Sequence, residues 1–205
     1  MYKFPYFTEE DTEKVITFMK ENYFAVITGM GEQYPVATHI PLEILEVDGR
    51  LKFVGHLMKH TDHHNAFLKN EHVLVVFNGP HTHVSASWYM KPNVASTWNY
   101  MTVHAKGKIR FTDEAATYDA VKRLTERYEK PGSAAAFDQL PPEYITRLVK
   151  AIIAFEISVE SFENVFKLSQ NRDIETRKSI AAHLFQKDNE GAKRIAKEIT
   201  DRLEK

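Results

Sequence analysis

The stretch "PVATHIPLEILEVDGRLKFVGHL" (Pro35–Leu57) decides the fold class. Runs rich in Val, Ile, Leu and Thr flank Asp48-Gly49, a dipeptide that favours the tight turn of a β-hairpin. We therefore predict strands over 35–47 and 51–57 that pair through this turn. Pro41 cannot donate a ladder hydrogen bond, so it marks a bend or an edge.

Similar strand-forming runs lie on both sides of this hairpin, at 24–28, 73–77, 81–89, 97–111, 152–159 and 164–169. Helical periodicity predicts helices over 8–22, 62–69, 115–128 and 143–150, and two more after Asp173. Many short strands with helices at their margins predict a mainly β protein, a small closed or partly closed antiparallel barrel with flanking helices. We predict one barrel domain over 1–172 and, over 173–205, a C-terminal helical hairpin packed on the same domain.

Composition excludes several classes of function. The 205 residues carry a net charge of −1, so no chain-wide positive field attracts nucleic acid or an anionic membrane. The absence of cysteine excludes disulfides, thiolate nucleophiles and Cys-ligated metal sites. The acidic N-terminus does not resemble a signal peptide, and no apolar run is long enough to span a bilayer. We expect a cytoplasmic protein without a membrane segment.

Four of the ten histidines fall within "GHLMKHTDHHNAF" (Gly55–Phe67), which we call the histidine segment. Their spacing, with the His-Thr-His at 81–83, permits a metal site, but no glutamate or thiolate accompanies them. A second interpretation is an anion site, in which Thr61 or Asp62 caps a short helix whose first N–H groups lie beside Lys59 and His60. A capped surface helix with solvated histidines explains the same pattern.

Two further stretches combine aromatic, amide and cationic side chains. In "STWNYMTVHAKG", Trp98 and Tyr100 share one strand face and Asn99 and Met101 the other, which would suit a planar heteroaromatic ligand or simply a core. "KLSQNR" (167–172, the 167–172 loop) places cations and amides after a strand, as either an anion site or a surface loop.

The motifs "ATHIPL" (37–42), "GHLMKHTDHHNAF", "VLVVFNGPHTHVSASWY" (73–89), "STWNYMTVHAKGK" (96–108) and "KLSQNR" closely resemble, in that order, the PaiB family of FMN-binding negative transcriptional regulators. The resemblance extends over nearly the whole chain. One departure is Ser96, which stands where a proline is expected before Thr-Trp-Asn-Tyr, so the approach to that strand should be less rigid.

The resemblance implies an FMN-binding split barrel of the pyridoxamine-phosphate-oxidase type, assembled as a homodimer with flavin between the subunits. Lys59 and Arg172 are expected to hold the FMN phosphate. The flavin cradle that it implies in one subunit comprises Thr38, His39, Gly55, His56, Leu57, Lys59, His60 and Asn65. The residues that it implies near the flavin, acting across the interface, are Trp98, Asn99, Tyr100, Lys167, Ser169, Gln170, Asn171 and Arg172.

Three functions remain open at this stage: a flavin-responsive repressor, a flavin-dependent oxidoreductase, and a haem- or metal-binding split barrel. The resemblance names no catalytic residue, and we expect no structural metal because the histidine pairs lie on different predicted elements. DNA as a partner rests on the resemblance alone, since the tail from Arg172 to Lys205 has only a small basic excess.

Overall fold

The computed structural model describes residues Met1, 4–91 and 93–203. Contacts divide the chain into two compact units, each built from segments that are distant in sequence. The first unit comprises Met1–Asn22, Phe77–His104 and Glu163–Lys205, and the second comprises Tyr23–Val76 and Ala105–Phe162. The division of the chain at residue 172 stays a prediction.

The strands are β1 (Phe24–Gly29), β2 (Val36–Pro41), β3 (Glu43–Val47), β4 (Arg50–Met58), β5 (His72–Val84), β6 (Thr97–Phe111) and β7 (Ile152–Lys167). They form one antiparallel sheet in the order β2-β1-β5-β6-β7-β4-β3, which confirms the mainly β prediction. The residues predicted as two strands at 152–159 and 164–169 belong to the single long strand β7.

Leu42 alone joins two strands at opposite edges of this sheet. The prediction of one strand over 35–47 is therefore wrong, because β2 ends at Pro41 on one edge and β3 begins at Glu43 on the other. Leu42 is buried, and its N–H donates to the Tyr23 carbonyl at 2.9 Å. With one residue between them the two edges must approach each other, and β2 contacts β4. The sheet of the second unit is thus curled, as a barrel requires.

The turn between β3 and β4 confirms the predicted hairpin. Asp48 and Gly49 have φ angles of 50° and 70°, and Val47 pairs with Arg50 across the turn. Two successive positive φ angles are those of a type I′ turn, whose twist matches the twist of the strands.

Strand β5 is continuous where two strands were predicted. Its buried positions are odd-numbered up to Phe77 and even-numbered from Pro80, so the buried face of the strand changes at Asn78-Gly79. A Cβ on Gly79 would lie 2.4 Å from the Phe18 ring. Gly79, which lies between the two predicted strands, therefore allows the chain to pack closely against the ring of Phe18.

The helices are α1 (Thr12–Glu21), α2 (Asp62–Lys69), α3 (Glu114–Tyr128), α4 (Pro142–Ala151), α5 (Ile174–Phe185) and α6 (Glu190–Asp201). α1 begins later than predicted, because the Asp11 side chain accepts from the N–H groups of the first turn and residues 5–7 form a 3₁₀ turn.

In the first unit α5 and α6 pack against each other as a hairpin. Ile180, Leu184, Ile195 and Ile199 are completely buried, consistent with the four-residue spacing in the sequence. Among the described residues, no helix has the length and apolarity needed to cross a membrane.

Candidate functional site

The histidine segment runs from the end of β4 into the start of α2. His60 has a φ of 64°, a left-handed conformation that reverses the chain between the strand and the helix. Thr61 is the N-cap: its Oγ1 accepts from the His64 N–H at 3.3 Å and donates to the Met58 carbonyl at 3.1 Å. Thr61, of the two predicted candidates, thus caps the helix.

His64 is the buried histidine of the segment, with 6% of its surface exposed. Its Nδ1 accepts from the His60 N–H at 3.2 Å, and its ring lies 4.9 Å from the Phe111 ring. Nε2 has no hydrogen-bond partner among the described residues. Burial, followed by the positive charges of His60, His63 and Lys59, lowers the pKa of His64. The neutral ring therefore presents an unsatisfied donor.

The neighbouring His63 is bonded within the segment. Its Nδ1 lies 3.0 Å from Asp62 Oδ1, its Nε2 lies 3.0 Å from Thr61 Oγ1, and its N–H donates to Asp62 Oδ1 at 2.7 Å. Thr61 and Asp62 thus occupy two amide donors of the first helical turn. In the described part of the chain, no three His, Asp or Glu side chains are arranged to hold a metal ion.

The remaining cationic and amide groups of the segment are accessible. Lys59 Nζ donates to the Lys150 carbonyl at 3.2 Å, near the end of α4. Asn65 is exposed on α2.

On the edge strand β2, Thr38 is half-buried, and the exposed His39 stacks on Phe24 with ring centroids 6.1 Å apart.

The β4 residues predicted beside the flavin ring differ in exposure. A Cβ on Gly55 would lie 2.8 Å from the Phe155 ring, so core side chains cover this glycine, and Leu57 is 4% exposed. His56, half-buried, lines a small cavity with Arg123. Burial lowers the pKa of His56. Their contact with flavin stays a prediction.

In the first unit, burial alternates along β6 as the sequence indicated. Asn99 is completely buried, whereas Trp98 is 55% exposed on the opposite face of the strand. The ring centroids of His81 and His83 lie 6.2 and 5.9 Å from that of Trp98. Tyr100, half-buried, shares the Trp98 face. The exposed aromatic face and the buried amide thus have separate surroundings.

The Asn99 amide holds the 167–172 loop. Its Nδ2 donates to Ser169 Oγ at 3.0 Å, and Oγ lies 3.2 Å from Asn99 Oδ1. Ser169 is 3% exposed and has a φ of 62°. Gln170 bonds locally, because its Oε1 accepts from the Leu168 N–H at 2.7 Å and its amide donates to the Phe166 carbonyl.

Two cations of this loop, Lys167 and Arg172, form no ion pair with a carboxylate among the described residues. Lys167 Nζ donates to Thr97 Oγ1 at 2.7 Å, and burial, then the charge of Arg172, lowers the pKa of Lys167. The Arg172 guanidinium lies 4.8 Å from the Tyr89 ring centroid. Arg172, Asn171 and Tyr89 line one small cavity. The donor set suits an anion.

Sequence reasoning missed three participants. Tyr89 is 9% exposed, supports Arg172, and has a hydroxyl without a hydrogen-bond partner in the described residues. Thr97 accepts from Lys167, and His64 carries the unpartnered Nε2. His60 lies before the helix, as the predicted bounds of 62–69 imply, and its backbone N–H donates to His64 Nδ1. No local pattern indicates the other two contacts.

Comparison with known proteins identifies the class. Residues 1–161 match the family described as "Putative FMN-binding domain". The Bacillus subtilis "Protease synthase and sporulation protein PAI 2" is 33% identical over 206 residues, covering 100% of this chain and 99% of the relative. An uncharacterized protein of Emericella nidulans is 31% identical over 152 residues, covering 66% of this chain and 61% of that protein.

Solved structures show the same fold at low sequence identity. The FAD and heme binding protein from Mycobacterium smegmatis has a TM-score of 0.59 and 16% identity, over 85% of this chain and 79% of that one. The flavocytochrome Anf3 from Azotobacter vinelandii has a TM-score of 0.61 and 15% identity, over 81% and 72%. These likenesses concern the fold alone.

The chain is a flavin-binding protein of the split-barrel class with added C-terminal helices. It belongs to the PaiB family, and its cofactor is FMN. The residues present fit such a group, because the histidine segment and the 167–172 loop each combine cationic donors with a buried, unpartnered polar atom nearby: His64 Nε2 and the Tyr89 hydroxyl, respectively.

Proposed function

We propose that this protein is a flavin-responsive negative transcriptional regulator of the PaiB type that acts as a cytoplasmic homodimer with FMN at the subunit interface. The observation that carries the proposal is the match to PAI 2 along the full length of both chains, with the FMN-binding family covering residues 1–161. The name of that relative associates it with protease synthesis and sporulation, and we propose control of comparable genes here.

The site residues serve the flavin in two ways under this proposal. Lys59, His60 and His64 offer donors at the histidine segment, while Arg172 and Lys167 offer charge that suits a phosphate dianion. Bound FMN supplies a redox-active ring. The side chains described above bind and orient the cofactor, and none of them has an assigned proton-transfer role.

Ion pairs on α5 and α6 reduce the positive charge that could bind DNA. Three of the five lysines and arginines of α5 and α6 pair with carboxylates, at Lys178–Glu175 (3.1 Å), Lys193–Glu190 (3.1 Å) and Arg194–Glu21 (3.4 Å). Lys205, part of the basic tail excess, lies outside the described residues. We therefore expect weak non-specific DNA binding, because few free cations are available to displace counterions.

The decisive experiment combines a flavin spectrum with selection of genomic DNA. FMN added to the purified protein should be retained on gel filtration, and fragments selected from genomic DNA should be enriched for a small set of promoters whose affinity changes with FMN. Retained FMN without any enriched fragment, together with NAD(P)H consumption, would instead support an oxidoreductase. A Soret band on addition of haem would support the haem-binding class.

The homodimer has its own test. Trp98 on β6 is 55% exposed and lies beside the rings of His81 and His83 on β5, which together form a surface that a partner subunit could cover. Light scattering of the FMN-loaded protein at micromolar concentration should give twice the chain mass. A monomer that retains FMN would contradict the interfacial flavin.

A further inference from the structure

A groove in the second unit lies between α3, α4 and the segment that joins them. Its volume is about 840 Å³, within the roughly 300–1,000 Å³ that small-molecule sites occupy. None of the residues implied for the flavin lines it. The groove is therefore a candidate site separate from the flavin residues.

The floor of the groove is apolar. Phe137, Ile145 and Val149 are 4%, 8% and 3% exposed and belong to one hydrophobic cluster. Tyr118 stands at the wall, 41% exposed, with its ring perpendicular to Phe137 at a centroid distance of 5.2 Å. A ligand with an apolar body would remove this aromatic and aliphatic surface from water.

The rim of the groove is acidic. Glu114, Glu129 and Asp138 lie there, whereas Lys122, the basic residue that lines the groove, is 3.9 Å from Glu126. Within the described part of the chain, no basic group lies within 4.0 Å of the Glu129 or Asp138 carboxylates. The field at the rim is therefore negative, which favours a positively charged ligand and disfavours an anion.

We propose that this groove binds a hydrophobic cation, a small organic molecule with an aromatic or aliphatic body and one delocalised or ammonium charge. The apolar floor accepts the body, the rim carboxylates attract the charge, and the exposed Tyr118 ring provides a cation–π surface. The proposal stands on this groove alone and does not depend on flavin binding or on a regulatory role.

A small cation suits the groove better than a protein partner does. Covering the groove with another chain would desolvate Glu129 and Asp138, and burying carboxylates without partners is costly. A small ligand leaves the rim in contact with water. The charge complementarity therefore favours an occupant that fills the floor and only reaches the rim.

The test uses two tetrahedral ions of nearly equal shape and opposite charge, tetraphenylphosphonium and tetraphenylborate, titrated calorimetrically into the full chain saturated with FMN. The phosphonium ion should bind at least about ten-fold more tightly than the borate ion. The double variant Glu129→Gln/Asp138→Asn should weaken phosphonium binding by about five- to ten-fold, and Tyr118→Ala should weaken it similarly. Glu143→Gln, on α4 but outside the groove lining, should bind as the parent does.

Equal affinities for the two ions, no binding up to about 1 mM, or an effect of Glu143→Gln as large as that of the double variant would overturn the proposal. Thr146→Trp, which inserts bulk at the exposed rim, should abolish phosphonium binding without changing the molar mass in light scattering. A fall in molar mass would identify the groove as a subunit contact and reject the small-molecule assignment. Repeating the titration without FMN keeps the result independent of the flavin proposal.

Discussion

The histidine segment and the 167–172 loop offer anion-binding donors by different physical means. In the histidine segment the bonds are local: His64 Nδ1 accepts from the His60 backbone N–H, and His63 Nε2 lies 3.0 Å from Oγ1 of the Thr61 cap. In the loop the donors are Lys167 and Arg172, and the loop is held from a distant strand by the buried Asn99–Ser169 pair.

The two regions therefore differ in how far along the chain the residues that hold them in place lie. A locally bonded segment keeps its shape through contacts between near neighbours, whereas the loop is tied to strand β6 by bonds between residues 70 positions apart, the buried Asn99–Ser169 pair and Lys167–Thr97. Removing one anchor should therefore affect the loop far more than the segment. The predictions below test that contrast.

The largest effect is expected from Asn99→Ala. The substitution leaves Ser169 Oγ buried without its partner and creates a cavity, which together should lower the free energy of unfolding by about 2–4 kcal/mol. Thr61→Ala, the matched change in the histidine segment, should cost only about 1 kcal/mol as the loss of an N-cap. Urea unfolding measures both. Equal losses would contradict the contrast in anchoring.

Arg172→Ala should weaken FMN binding by about one to two orders of magnitude, because charge-assisted hydrogen bonds to a phosphate are worth roughly 1.5–3 kcal/mol. Fluorescence titration of the flavin measures the affinity. Lys178→Ala, an exposed residue paired with Glu175, is the control and should leave binding unchanged. Riboflavin lacks the phosphate, so its weaker binding should hardly respond. A riboflavin loss as large as the FMN loss would assign Arg172 to the ring or to the fold.

His64→Gln should reduce the loss of stability below neutral pH. Burial lowers the pKa of His64, so the unfolded chain, whose histidines titrate near about 6.5, takes up the proton first as the pH falls. The stability from the neutral ring is complete above that pH and is lost as the pH falls toward the lowered pKa. Urea unfolding at pH 7.5 and 5.5 should show a smaller difference in the variant. His56 and His104, whose pKa values burial also lowers, should keep part of it. An unchanged difference would show that His64 is protonated equally in both states.

Lys59→Ala should have the smallest effect, a loss in FMN affinity of roughly two- to five-fold, since an accessible lysine contributes through a solvent-screened charge. Lys69→Ala removes an exposed lysine that pairs with Glu32 at the far end of α2 and should leave the affinity unchanged. The same fluorescence titration applies. A Lys59 effect larger than that of Arg172 would move the main phosphate contact to the histidine segment.

Local patterns in the sequence predicted the features that depend on near neighbours. Asp48-Gly49 formed the expected turn, Thr61 capped α2, the helix over 62–69 and the strand over 97–111 have the predicted bounds, and burial alternates along β6. The order of the family motifs indicated an FMN-binding split barrel, and the comparisons confirmed it. The sixteen implied flavin contacts stay predictions.

Only the tertiary structure decided the features that depend on distant partners. Leu42 connects the two edges of the sheet, Gly79 makes room for Phe18 where the buried face of β5 changes, and Tyr89 lies against Arg172. The period of a strand or helix determines which side of a residue is buried, because that period is a property of the local backbone. It carries no information about which distant residue fills the space, and strand order and packing settle that choice.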